Sequence, residues 1–154
     1  MLNIEKWIEN KVLRKKSLVL KDYEIKNYIK LAREMKKFIK NPKNGWIWLA
    51  APQVWYNLRL IIVGLPKNRE DENYKTIIMF NPEIIEFSEE IECGEEWCLS
   101  VPNKKWNVNR AKEIKLVYKD EKWALKSLIL EWLSARVVQH EIDHLNWVLF
   151  VDRI

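Results

Sequence analysis

Glycine is nearly missing from this chain. Three glycines in 154 residues is about 2%, against a usual share of roughly 7%. Two cysteines exclude a disulfide scaffold. No run of eighteen apolar residues exists, which argues against a transmembrane helix. The start, MLNIEKWIENKVLRKKS, mixes charges of both signs and has neither an apolar centre nor a small-residue cleavage site. It does not read as a signal peptide, so a reducing cytoplasm and free thiols are expected. Lys and Arg number 27 against 22 Asp and Glu, a net charge of +5 spread along the chain. The densest patch, Arg14-Lys15-Lys16, reads as solvated surface, and no nucleic-acid-binding motif accompanies it. In excess stands tryptophan, with nine copies. Glycine and tryptophan together make twelve, close to a normal glycine share alone.

A length of 154 residues with 48% hydrophobic content fits one domain with its own core. Ile25, Tyr28, Ile29, Ala32, Met35 and Ile39 recur at helical spacing, predicting an amphipathic helix over Asp22–Lys40. Asp22 is its expected N-cap, and Asn41-Pro42 ends it. Leu58–Leu65 and Thr76–Asn81 read as strands. Glu113–Lys119 and Ala124–Leu130, separated by a polar break, read as a hairpin. From about Leu133 to Leu145 the pattern is helical again. Strands cluster between helices at either end, which favours α+β over alternating α/β.

The only two histidines, His140 and His144, fall in one segment, Gln139-His140-Glu141-Ile142-Asp143-His144. This is H-E-x-x-H. Four residues make about one helical turn, so both imidazoles leave one face and can grip one divalent metal. Glu141 stands beside the first ligand, within reach of a water on that metal. A catalytic site usually adds a third protein ligand and keeps one position open. Cys93 and Cys98 are the soft candidates, and their odd separation puts them on opposite faces of a continuous strand.

Three segments together resemble the peptide deformylase family. Trp46-Ile47-Trp48-Leu49-Ala50-Ala51-Pro52-Gln53 parallels that family's G-x-G-x-A-A-x-Q. Glu96-Trp97-Cys98-Leu99-Ser100 parallels E-G-C-L-S, and Gln139–His144 parallels Q-H-E-x-D-H. Order and spacing fit over nearly the whole chain, which implies a single catalytic domain over residues 1–154. The resemblance implies short, mostly antiparallel sheets around a central C-terminal helix carrying the histidines, plus an N-terminal helix. It implies Cys98, His140 and His144 as metal ligands and Glu141 as general base and acid. The Gln53 side-chain amide and the Leu99 backbone N–H would form an oxyanion hole. Glu96 and Arg110 match an ion pair behind the ligands. Trp46, Ile47, Trp48 and Trp97 would line the substrate pocket, while Cys93 matches nothing.

The activity implied is removal of formate from the N-formylmethionine of newly made polypeptides. A thiolate with two imidazoles suits Fe²⁺ or Zn²⁺, and the resemblance implies Fe²⁺ first. The partners implied are N-formylmethionyl nascent peptides and transient proximity to the ribosome, for a monomeric, non-membrane protein. Two rivals accompany this reading. One is a non-catalytic metal- or peptide-binding relative whose groove is plugged by Trp46, Trp48 and Trp97. The other is a peptidase of the H-E-x-x-H type, which the Cys98 motif and the lack of a third downstream His disfavour.

The departures from the family follow one rule. Trp46, Trp48, Trp55, Trp97, Trp123, Trp132 and Trp147 stand where the family commonly has Gly, and Trp106 where it has a small residue. Trp7 stands outside that set. Glycine serves where φ is positive or where backbone approaches a ligand closely, and two indoles at 46 and 48 would crowd the groove. A gene that reads UGA as glycine, translated with UGA as tryptophan, would give this pattern. A lineage with a remodelled, tryptophan-rich pocket is the alternative.

Overall fold

The computed structural model describes residues 2–45, 47–68 and 70–154. Two helices flank an antiparallel sheet. The first, α1, spans Asp22–Ile39. Then come β1 (Trp48–Ala50), β2 (Leu60–Leu65), β3 (Lys75–Phe87), β4 (Ile91–Cys98), β5 (Val101–Ala111), β6 (Glu113–Lys119) and β7 (Leu125–Glu131). The second helix, α2, spans Trp132–Leu145, and a short 3₁₀ turn over Phe150–Arg153 follows. Five strands pair in the order β1-β2-β3-β6-β7, and β4 and β5 form a separate two-stranded ribbon.

The expected N-terminal helix is present, with its cap displaced by one residue. Lys21, in extended backbone, is the N-cap, and its N–H donates to Glu24 Oε2 at 2.7 Å. Asp22 lies inside the first turn, where its charge complements the helix dipole. The expected hairpin is β6 paired with β7, Glu113 opposite Glu131.

β2 explains why the sheet holds together. Leu60 and Ile62 join a cluster with Ile25, Ala32 and Met35 of α1. Ile61 and Val63 join a second cluster with Val138 and Ile142 of α2. A strand covered on both faces reads as a continuous apolar run rather than an alternation. Burying each such side chain contributes about 1.5–3 kcal/mol. The strand thereby fixes both helices against one scaffold.

In α2 every residue from Ser134 to Leu145 is buried, including both histidines. Gln139 ties this helix to the ribbon: its Nε2 donates to the Ala111 carbonyl at 2.8 Å, and its Oε1 accepts from the Ala111 N–H at 3.2 Å. The end of β5 is thus held against the middle of α2.

Candidate metal centre

Cys98 lies at the end of β4, and Val101, its partner in register, opens β5. On β4, Glu96 and Cys98 are buried while Glu95 and Trp97 are exposed, so Glu96 and Cys98 share the inward face. That face meets α2. His140 and His144 project one turn apart, ring centroids 5.1 Å from each other. One potential ligand atom from each of Cys98, His140 and His144 lies within 4.8 Å of the other two, all three residues buried. His144 Nε2 is 3.2 Å from the Cys98 sulfur. Cys93 is exposed, away from this cluster.

Each ligand is oriented from behind. His140 Nδ1 pairs with Glu96 Oε2 at 2.9 Å, which leaves Nε2 turned inward, and its ring stacks on Phe150. Glu96 also accepts from Arg110 Nε and Nη2, both at 2.9 Å, and from Arg136 Nη1 at 2.9 Å. Arg110 continues to Asp143, which accepts in turn from Arg153. Arg136 further donates to the backbone carbonyls of Val108 and Glu92. Two arginines on Glu96 leave its buried charge well compensated.

Arg136, Asp143 and Ser100 join this network although no role was predicted for them. Arg136 carried a legible signal: it precedes His140 by four residues, one turn, on the same helix face. Both side chains therefore meet the same carboxylate.

The donor set fits a divalent transition metal. His140 Nε2 and both oxygens of Glu141 are buried without a hydrogen-bond partner, and the His144 nitrogen facing Cys98 is Nε2. Such groups cost free energy unless something satisfies them. One thiol and two imidazoles are the donors expected of an open catalytic site. Burial pushes the Cys98 thiol up to about 12, with the nearby Glu141 carboxylate adding to the rise, so a metal's charge is what stabilises its thiolate. Burial, reinforced by His140 and Arg110, holds His144 well below the usual histidine range, in its neutral, ligating form. Burial, then the charges of Glu96 and Asp143, raises Glu141 well above the usual carboxylate range. For Glu96, burial acts upward, but the hydrogen bonds of Arg110 and His140 outweigh it and hold the carboxylate ionised far into acid.

Gln53 reaches the same place from a 3₁₀ turn, Ala51–Val54. Its Oε1 accepts from the Ala50 N–H at 2.8 Å, which fixes the amide orientation. Its Nε2 therefore faces Cys98 Sγ at 3.5 Å and Ser100 Oγ at 3.2 Å. Leu99 sits in the turn between Cys98 and Ser100.

A cavity of about 360 Å³ opens beside His140. Ile47, Trp48, Tyr74, Trp97, Leu133 and Val137 line it; Trp46 lies outside the described residues. Trp48 and Trp97 meet edge to face across it, ring centroids 6.5 Å apart. A larger cavity of about 810 Å³ lies behind α2 and reaches Arg110 and Asp143 but none of the three ligands. The smaller cavity adjoins His140, and a further one of about 460 Å³ is lined by Trp97, Cys98 and Leu99.

The family model for polypeptide deformylase matches residues 1–154. The chain belongs to the peptide deformylase family. It is 43% identical over 150 residues to the peptide deformylase of Synechocystis sp., covering 96% of this chain and 76% of that protein. It is 45% identical to the peptide deformylase of Prochlorococcus marinus strain NATL1A, covering 81% of this chain and 60% of that longer protein. The fold resembles the Met-Ala-Ser-bound class I type b peptide deformylase of Acinetobacter baumannii, with a TM-score of 0.87 at 33% identity, 99% of this chain and 98% of that one covered. It equally resembles a probable peptide deformylase from Synechococcus phage S-SSM7, TM-score 0.87 at 38% identity, with both chains fully covered. Deformylases are amidohydrolases that remove a formyl group. Two helices with antiparallel sheets bear out the α+β expectation. Among the described residues no helix is long and apolar enough to cross a membrane.

Proposed function

We propose that this protein removes the formyl group from the N-formylmethionine of newly made polypeptides, using one catalytic domain over residues 1–154. The observation that carries the reading is the convergence of Cys98, His140 and His144 within 4.8 Å beside an unpartnered, buried Glu141.

Cys98, His140 and His144 would hold one divalent ion, Fe²⁺ in the cell or Zn²⁺ in its place. When bound, the ion acts as a Lewis acid that lowers the pKa of water and polarises a carbonyl. Glu141 takes the proton from the attacking water and passes it to the departing amine. Its raised pKa suits both tasks, since a carboxyl poised nearer neutrality can accept and return a proton. Charge developing on the formyl oxygen is met by the Gln53 side-chain N–H and the Leu99 backbone N–H. The amide orientation fixed by Ala50 keeps the Gln53 donor, rather than its oxygen, turned inward. Glu96 and Arg110 hold the His140 ring in one tautomer. The cavity lined by Ile47, Trp48 and Trp97 takes the methionine side chain; the bound Met-Ala-Ser of the Acinetobacter relative is consistent with such an occupant. The setting is the cytoplasm, the protein a monomer, and the encounter with nascent chains occurs near the ribosome. The intact ligands, Glu141 and Gln53 weigh against a purely binding relative.

Formate release from formyl-Met-Ala-Ser, set beside acetyl-Met-Ala-Ser and the unblocked peptide, tests the reading. Release confined to the first substrate supports it. Hydrolysis of an internal peptide bond would point instead to a peptidase.

A further inference from the structure

Among the described residues, left-handed backbone outside glycine falls mostly on tryptophan. Among the described residues, the non-glycine positions with positive φ are Trp7 (82°), Trp55 (75°), Asn81 (49°), Asn103 (63°), Trp123 (66°), Trp132 (54°) and Trp147 (57°). Asparagine visits this region readily, whereas only a few per cent of other non-glycine residues do. A bulky aromatic there is an outlier, and here there are five.

The hydrogen bonds show what these positions are for. After α2, the Trp147 N–H donates to the His144 carbonyl and the Val148 N–H to the Asp143 carbonyl, at 3.4 and 3.0 Å. Paired bonds of this kind end a helix through one left-handed residue, usually glycine. Trp55 repeats the pattern after the Ala51–Val54 turn, its N–H on Pro52 and the Tyr56 N–H on Ala51. Trp123 closes the β6–β7 hairpin, its N–H donating to the Asp120 carbonyl at 3.0 Å. That is the left-handed position following a turn, again a glycine place. Trp7 joins the set on its φ alone, although sequence comparison left it out.

The indoles gain little to set against the strain: Lys112 lies over Trp132 at 4.1 Å and Lys16 over Trp147 at 5.6 Å, contacts worth about 0.5–1 kcal/mol at exposed sites. All five left-handed tryptophans are exposed, and no described tryptophan is buried. Tryptophan is on average a highly buried residue. By contrast the three glycines present are used as glycines: Gly45 has φ +65°, a Cβ on Gly64 would fall 2.5 Å from the Tyr74 ring, and one on Gly94 would fall 2.9 Å from the Arg136 guanidinium carbon.

We infer that the natural polypeptide carries glycine at the tryptophan positions, its gene being read in a genetic code where UGA specifies glycine. One cause then accounts for the scarcity of one residue, the excess of the other, the left-handed φ values and the exposed indoles. It applies equally to Trp48 and Trp97, whose replacement by glycine widens the mouth of the cavity beside His140. Backbone conformation and codon identity carry this reading whether or not the enzyme deformylates.

Two readings of one source test it: the codons of the gene, and the mass of the protein's proteolytic fragments isolated from the cells that encode it. UGA at positions 7, 55, 123, 132 and 147, with glycine masses in the matching fragments, is the expected result. UGG at any of these five, or tryptophan masses where UGA stands, would overturn it.

Discussion

Glu96 Oε2 lies 2.9 Å from His140 Nδ1, and the same carboxylate carries two arginines. A strand residue thus decides how a helix residue presents its other nitrogen. Replacing Glu96 by Gln keeps the shape but removes the charge that fixes the ring. A loss of about 10–100-fold in metal affinity is expected, in line with other carboxylates that back a ligating histidine. Competition with a chelating dye measures it; unchanged affinity would remove Glu96 from the positioning role.

Arg136 binds Glu96 and three backbone carbonyls, of Glu92, Gly94 and Val108, from a fully packed helix. Arg136→Met leaves those acceptors unpaired and is expected to cost about 3 kcal/mol in urea unfolding, the lower end for breaking a buried ion pair, because Arg110 remains. Arg136→Lys, which keeps the charge but not the fork, should recover only part of it.

Metal uptake should depend on pH. The Cys98 thiol, pushed up to about 12, must lose its proton to ligate, while His144 is already neutral. Each proton released makes affinity rise about tenfold per pH unit. The sign is therefore tighter binding at higher pH across the neutral range, followed by Co²⁺ absorption. A pH-independent affinity would show that the thiol is not a ligand.

Removing a left-handed side chain should relieve strain of about 1 kcal/mol per site. Trp147→Gly and Trp123→Gly, singly and together, are expected to raise the midpoint of urea unfolding, with near-additive effects because one ends α2 and the other closes the β6–β7 hairpin. A fall in stability would mean that these indoles contribute contacts worth more than the backbone strain.

Much of the scaffold was legible because its physics is local. The 3.6-residue period of α1 and the continuous apolar run of β2 each report their own burial. The helix start slipped by one residue because Lys21 caps through Glu24 rather than through an Asp side chain. The ribbon of β4 and β5 was not legible from hydrophobic pattern. On β4 the buried positions near the site are Glu96 and Cys98, while Ile91 points to solvent. That inversion is stable only because arginines from β5 and α2 arrive to meet the carboxylate, and no window of sequence contains them all. Cys98, His140, Glu141, His144 and Gln53 were legible through motifs. Glu96 and Arg110 were legible through the resemblance, whereas the bonds of Arg136 to Glu96 and of Arg153 to Asp143 emerge only when the distant elements meet.

The central claim is that Glu141 moves the proton in a deformylation at the Cys98–His140–His144 centre. Formate release from formyl-Met-Ala-Ser by the metal-loaded protein, in its tryptophan and glycine forms, should be compared with that of the corresponding Glu141→Gln variants. The expected result is a fall of about 10²–10⁴-fold in kcat with one metal ion still bound. Undiminished turnover in Glu141→Gln, with the metal retained, would contradict it.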